Sequence, residues 1–267
     1  MTWQVIAVIT CELYFIGMTF GRDLRRWRDA RNLSQHDLAS LSGVSQRHLS
    51  YLESGKSQPS RGMVVHLGRM LSLPLKVQNE LLLSAGFAPA FTEHKIDDPA
   101  LASARSAIDF ILDRHDPHPA VALGRDWTIV GANPAMRSLA GFLATGDPAV
   151  SPRMEGVDFL GALARDGELR RHMVDGDRIV ANILERVLRD ALASGDEPMK
   201  ERVTELLASF DRVRLHDGDP GMPALPSIEF RRDGRSLKLL SIMVSFATPC
   251  DVTLESVRLE LFYPADE

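Results

Sequence analysis

The chain has 267 residues, 45% of them apolar and 25% charged, with a formal net charge of −5. That length accommodates two domains, and this apolar content provides two folded cores rather than a disordered chain. The two cysteines, Cys11 and Cys250, are too few for a disulfide framework or a zinc cage and suit a reducing cytoplasm. Charge is unevenly spread: Met18 to Phe91 holds ten Lys and Arg against five Asp and Glu, a local +5, while Thr92 to Glu267 holds 21 against 30. A basic N-terminal part in an acidic chain points to a polyanion as its partner.

Residues 1–17, MTWQVIAVITCELYFIG, are apolar but lack a basic start, contain Glu12 and are too short to span a bilayer comfortably. Met18 opens MTFGRDLRRWR, a more natural beginning for a domain. The leading segment is therefore read as an extension or start-site artefact, without assigned function.

From Ser34 to Gly55 the residues SQHDLASLSGVSQRHLSYLESG have the spacing of a helix-turn-helix. Ser34 and Asp37 form a capping box that starts a helix at Gln35, and Gly43 ends it. Ser45 caps the next helix, with Val44 stapled onto Leu49. Leu38, Leu49 and Leu52 form the apolar seam, and Ala39 is small where helices cross.

At 100° per residue, Arg47 and Tyr51 point away from that seam, flanked by Ser50 and Ser54. Gln46 lies in the first turn, where a recognition helix enters the major groove. Arg and Gln side chains can bond bidentately to guanine and adenine edges, so Gln46, Arg47, Ser50 and Tyr51 are the candidate base readers. Gln35 and Ser45 at helix N-termini, with Lys56 and Arg61 beyond the motif, are the candidate phosphate contacts. Arg22, Arg25, Arg26, Arg28 and Arg31 crowd the preceding helix and form either a phosphate-facing surface or an ordinary solvated face. Two further helices are expected, from Ser60 through Leu71 and from Leu75 to Ala85, with the domain closing near Phe91.

LRRWRDARNLSQHDLASLSGVSQRHLSYLESGKSQPSR resembles the N-terminal domain of the XRE family, the phage-repressor-like helix-turn-helix regulators. The resemblance implies an all-α, five-helix, lambda-repressor-like DNA-binding domain over residues 18–91. It also implies a double-stranded DNA operator as partner and a homodimer reading two half-sites.

Residues 92–99 read as a proline-marked linker, and residues 100–267 as an α+β domain. A helix from Pro99 to Asp113 precedes strands at Ala120–Leu123 and Trp127–Ala132. Asn133-Pro134 starts a helix expected to run to Gly141, and further helical patterns lie at 159–164, 178–193 and 199–210. Asp233-Gly234 joins strands 227–232 and 236–246 into a hairpin. In the last strand Val257, Leu259, Leu261 and Tyr263 alternate with Arg258 and Glu260, which predicts one buried face, one partly wet face, and helices on one side of the sheet.

PAVALGRDWTIVGANPAMRSLAG and SFATPCDVTLESVRLELFYPADE together resemble the ligand-binding domain of MmyB-like transcription regulators, a PAS-like fold with an antiparallel sheet. That resemblance implies a small apolar effector, a fatty acid or similar lipid. Candidate lining residues are Phe142, Leu143, Phe159, Leu160, Leu163, Ile183, Leu184, Ile242 and Val244; apolar residues at such spacing also serve as plain core.

Other chemistry has little support. Gly55-Lys56-Ser57 follows a helix, whereas a phosphate-binding loop follows a strand. His115 and His118 flank Asp116-Pro117 with no third ligand near, so no metal site or cofactor is expected. No Ser or Cys sits in a nucleophile elbow or beside an evident base. The expected function is a sequence-specific, ligand-sensing transcription regulator in the cytoplasm, neither an enzyme nor membrane-bound. The alternative is a DNA-bound adaptor whose C-terminal domain binds a protein and no small molecule.

Overall fold

The computed structural model describes residues 19–165, 167–210 and 227–265. The leading segment 1–17 lies outside them. The chain divides between Thr92 and Glu93 into two compact units.

The first unit is a bundle of α1 (Phe20–Ala30), α2 (Gln35–Ser42), α3 (Gln46–Glu53), α4 (Arg61–Met70) and α5 (Leu75–Ser84). Its boundaries follow local chemistry. Ser34 accepts from the Asp37 amide while Asp37 accepts from the Ser34 amide, closing the capping box, and Gly43 ends α2 at φ 69°. Ser45 and Ser60 cap α3 and α4 through the amides of His48 and Met63. Leu24, Leu38, Leu49, Leu67 and Leu82 are fully buried in one core. Gly21 permits the tightest helix crossing: a Cβ there would lie 2.4 Å from the Leu52 carbonyl oxygen and 2.6 Å from that of Glu53.

The second unit is built on a five-stranded antiparallel sheet of order β2-β1-β5-β4-β3, with β1 (Ala120–Leu123), β2 (Ile129–Ala132), β3 (Ser227–Arg232), β4 (Arg235–Ser245) and β5 (Arg258–Pro264). A 3-10 turn at Pro99–Leu101 leads into α6 (Ala102–His115). Between β2 and β3 come α7 (Pro134–Thr145), α8 (Phe159–Ala164), α9 (Glu168–Arg171), α10 (Gly176–Ser194) and α11 (Glu197–Leu207). The short α12 (Val252–Ser256) precedes β5. Asn133 starts α7 and also locks it to the sheet: its Oδ1 accepts from the Met136 and Ala120 amides, and its Nδ2 donates to the His118 and Leu112 carbonyls.

Four expectations for this unit are corrected. Helices cover both faces: Ile108 and Leu112 of α6 join Ala120, Ala122, Leu259 and Leu261 on one, while α7, α8, α10 and α11 pack on the other. Consequently β5, a central strand, has no wet face, and Glu260 is 5% exposed. Trp127 precedes β2 in a turn, at φ 61°. Finally α7 runs through Gly141 to Thr145, ending at Gly146 with φ 85°. Gly141 is there for proximity, since a Cβ would sit 1.7 Å from the Val150 carbonyl oxygen.

The segment after the division is held to the second unit. His94 Nδ1 lies 2.8 Å from Asp251 Oδ2, the His94 carbonyl accepts from the Thr253 hydroxyl, and Ile96 packs on the α6 core.

Candidate nucleic-acid interface and effector core

The exposed face of α3 forms because Leu49 and Leu52 bury its opposite side. Gln46 and Arg47 are exposed, Tyr51 is 37% exposed, and Ser50 is half-buried on the flank. Arg47 is not a loose cation: its Nε lies 3.2 Å from the Tyr51 hydroxyl, and its guanidinium sits 5.4 Å from the ring centroid. The Lys56 ammonium is 5.9 Å from the same ring. Tyr51 therefore gathers two cations on one surface through its quadrupole. Ser45 is exposed while its hydroxyl caps α3, and Arg61 is exposed at the first position of α4.

Gln35 is placed differently from the other phosphate candidates, because its amide donates to Glu53 Oε2 at 2.8 Å. Glu53 in turn grips Arg28 with two bonds, Nε to Oε1 at 2.7 Å and an η nitrogen to Oε2 at 3.0 Å. The Arg28 and Glu53 side chains are 9% and 4% exposed. Hydrogen bonding to Glu53 holds the Arg28 guanidinium above its ordinary pKa against the opposing effect of burial. Arg28 thus belongs to an internal ion pair and not to the phosphate-facing surface considered for the arginine-rich helix. Arg22, Arg25 and Arg26 are exposed. The network joins α1, α2 and α3 and sets the angle at which the outward face is presented. A 25-residue separation hid this pair from a reading of local spacing.

In the second unit, seven of the nine lining candidates converge on one cluster: Leu143, Leu160, Leu163 and Leu184 in its buried interior, with Phe142, Phe159 and Ile183 half-buried against it. The other two do not join them. Val244 packs with the α6 core on the opposite face of the sheet, and Ile242 is 47% exposed. The physical reason is the two-residue period of a strand: Met243, one residue away, is the β4 side chain that reaches the cluster. A cleft of about 530 Å³ near the start of α10 is charged, with Arg170 and Arg178 opposed by Asp177 and Asp175. Among the described residues there is no group of His, Cys, Asp and Glu able to hold a metal ion, and no helix long and apolar enough to cross a membrane.

Residues 19–81 match a helix-turn-helix domain model, and residues 104–267 match the model of the MmyB-like transcription regulator ligand binding domain. Similar proteins include the uncharacterized HTH-type transcriptional regulators y4dL of Sinorhizobium fredii, 34% identical over 24% of this chain and 33% of the relative, and RghRB of Bacillus subtilis, 36% identical over 28% and 52%. Rv0023 of Mycobacterium tuberculosis is 33% identical over 36% of this chain and 38% of the relative. The chain thus spans between a third and about half of these curated relatives. The solved structure of an RNA-binding Light-Oxygen-Voltage receptor aligns with 99% of this chain and 64% of its own at 14% identity and a TM-score of 0.25. With a helix-turn-helix domain ahead of a ligand-binding domain whose model matches more than half of the sequence, this protein belongs to the MmyB-like transcription regulators.

Proposed function

We propose that the first unit, residues 18–91, reads an operator through Gln46, Arg47, Ser50 and Tyr51 while Gln35, Ser45, Lys56 and Arg61 meet phosphates. The second unit, residues 100–267, senses a small apolar effector, and two copies of the chain act as a homodimer on paired half-sites. The observation that carries the DNA reading is the outward face of α3, where Arg47 is held against Tyr51 beside exposed Gln46. A preoriented guanidinium loses less side-chain freedom on meeting guanine than a free one. Gln35 contributes differently from the rest: with its amide on Glu53, it sets the entry of α2 and brings the helix N-terminus, more than its own side chain, to the phosphate.

The sensing reading is supported by half-buried Phe142, Phe159 and Ile183 around a buried apolar cluster. A ligand there changes DNA affinity only by binding two arrangements of the chain unequally. The adaptor alternative has its own support, since Leu160 and Leu184 are 0% exposed, as in a filled interior.

The test of the DNA reading is operator selection followed by titration. Arg47→Ala and Gln46→Ala should each cost about 1–3 kcal/mol of specific binding and relax preference at one base position. Unchanged base preference in both variants overturns the assignment. Native mass spectrometry of the purified chain, which reports stoichiometry and retained small molecules together, separates sensor from adaptor and monomer from dimer.

A further inference from the structure

The chain between the two units is fastened on both sides. In the second unit His94 Nδ1 lies 2.8 Å from Asp251 Oδ2, and the His94 carbonyl accepts from the Thr253 hydroxyl. Ile96 packs on the α6 core, the Asp97 carbonyl accepts from Arg105 at 2.9 Å, and Asp98 Oδ1 caps the 3-10 turn through the Ala100 amide at 2.8 Å. In the first unit one side chain of α5 does the same. Asn79 Oδ1 accepts from the Ala90 and Phe91 amides at 2.9 and 3.0 Å, and its Nδ2 donates to the Phe91 carbonyl at 2.8 Å. Thr92 and Glu93, both exposed, lie between the two clamps. A 4.0 Å contact of Glu93 with Arg125, between partly exposed side chains, adds little. The three Cα steps from Phe91 to His94 span at most about 11 Å.

We propose that His94, latched to α12, is the positioning residue through which the effector core acts on the DNA reader, with Thr92-Glu93 as a two-residue joint. This rests on the sensing reading above. The latch sits on the element that leads into that core. Asp251 is 5% exposed, and its Oδ1 caps α12 through the Thr253 amide at 2.9 Å. One residue, Val257, separates α12 from β5. β5 places Leu259 and Leu261 in the α6 core and Phe262 in the cluster that holds the lining candidates. A shift of β5 on binding an effector therefore moves α12, and with it Asp251, Thr253 and His94. A slack tether would absorb that shift, because its end-to-end distance adjusts at little cost. Two residues between clamps have only about four soft dihedrals with which to do so. The His94 side chain is 32% exposed and gains little from burial, so what it supplies is the bond to Asp251.

The full chain is digested with trypsin, which cuts after the exposed Lys95, and separately titrated with selected operator DNA with and without dodecanoate, whose binding is followed by native mass spectrometry. The proteins are wild type, His94→Ala, Thr253→Val and His94→Asn, whose amide nitrogen can stand in for Nδ1; circular dichroism establishes that each is folded. Wild type and His94→Asn should resist cleavage at Lys95, and His94→Ala and Thr253→Val should be cut there about tenfold faster, since a protease takes locally opened chain. Dodecanoate should change operator affinity by about fivefold or more in wild type and His94→Asn, and by about twofold or less in His94→Ala. His94→Ala should still bind dodecanoate and keep its probe-free operator affinity within about threefold, a split that a merely structural role would not produce. Equal response in wild type and His94→Ala overturns the latch, as does dodecanoate that binds wild type without changing operator affinity. Failure of dodecanoate to bind removes the fatty-acid-like effector from the sensing reading, and cleavage then decides the latch by itself: wild type cut at Lys95 as fast as His94→Ala overturns it, and resistance lost only in the unlatched variants upholds it.

Discussion

Replacing Glu53 by Ala probes whether the recognition helix is positioned by a buried ion pair. The substitution strips Arg28 of both bonds to the carboxylate and Gln35 of its amide acceptor. Removing one partner of a buried pair typically destabilises by about 3–5 kcal/mol. The lower end applies here, because Arg28 keeps bonds at 2.6 Å to Asp29 Oδ1 and to the Leu33 carbonyl. For a unit of this size about 3 kcal/mol lowers Tm by about 12–24 °C. It is also a large part of the roughly 5–15 kcal/mol that holds a domain together. The assay is thermal denaturation of the full chain by circular dichroism, with hydrogen-exchange mass spectrometry to locate the loss in residues 20–53. Arg28→Met combined with Glu53→Leu should recover most of the stability, since the uncompensated charge goes with its partner. A loss below about 1 kcal/mol, the range of exposed pairs, would show that the pair is solvated and refute the argument.

Gly21→Ala should cost about 1–3 kcal/mol, because its methyl meets the Leu52 and Glu53 backbone oxygens and not a flexible side chain; a denaturant midpoint equal to wild type would contradict that crossing. Lys56→Ala should weaken all DNA sequences alike and reduce the salt slope by about one, measured by titration at several salt concentrations, whereas a change in base preference would move Lys56 among the readers. Glu260→Gln should stabilise the protein above about pH 4.5. The raised folded-state pKa means the native chain holds its proton longer than the unfolded chain, so wild-type stability falls as pH rises from the ordinary value through the folded one. The advantage of the variant should therefore vanish below that window and level off above it, and urea melts showing a gain that grows toward acid would reverse the sign and refute it.

The capping box at Ser34, the left-handed Gly43, the caps at Ser45 and Ser60 and the Asp233-Gly234 hairpin were legible in the chain itself, since each depends on atoms within four residues. The outward face of α3 followed from the same helical period, so Gln46, Arg47 and Tyr51 could be singled out without tertiary knowledge. Tertiary structure alone decided who meets whom: Arg28 with Glu53, Gly21 with the carbonyls of α3, and Gly141 with Val150. It also placed β5 between β1 and β4. An alternating strand reads as half-wet until its neighbours are known. Helices on both faces buried Glu260, and the register of β4 turned Ile242 and Val244 away from the cluster they were expected to line. Local sequence carries backbone geometry and side-chain period, whereas desolvation and pairing depend on segments brought together from distant parts of the chain, which no spacing rule encodes.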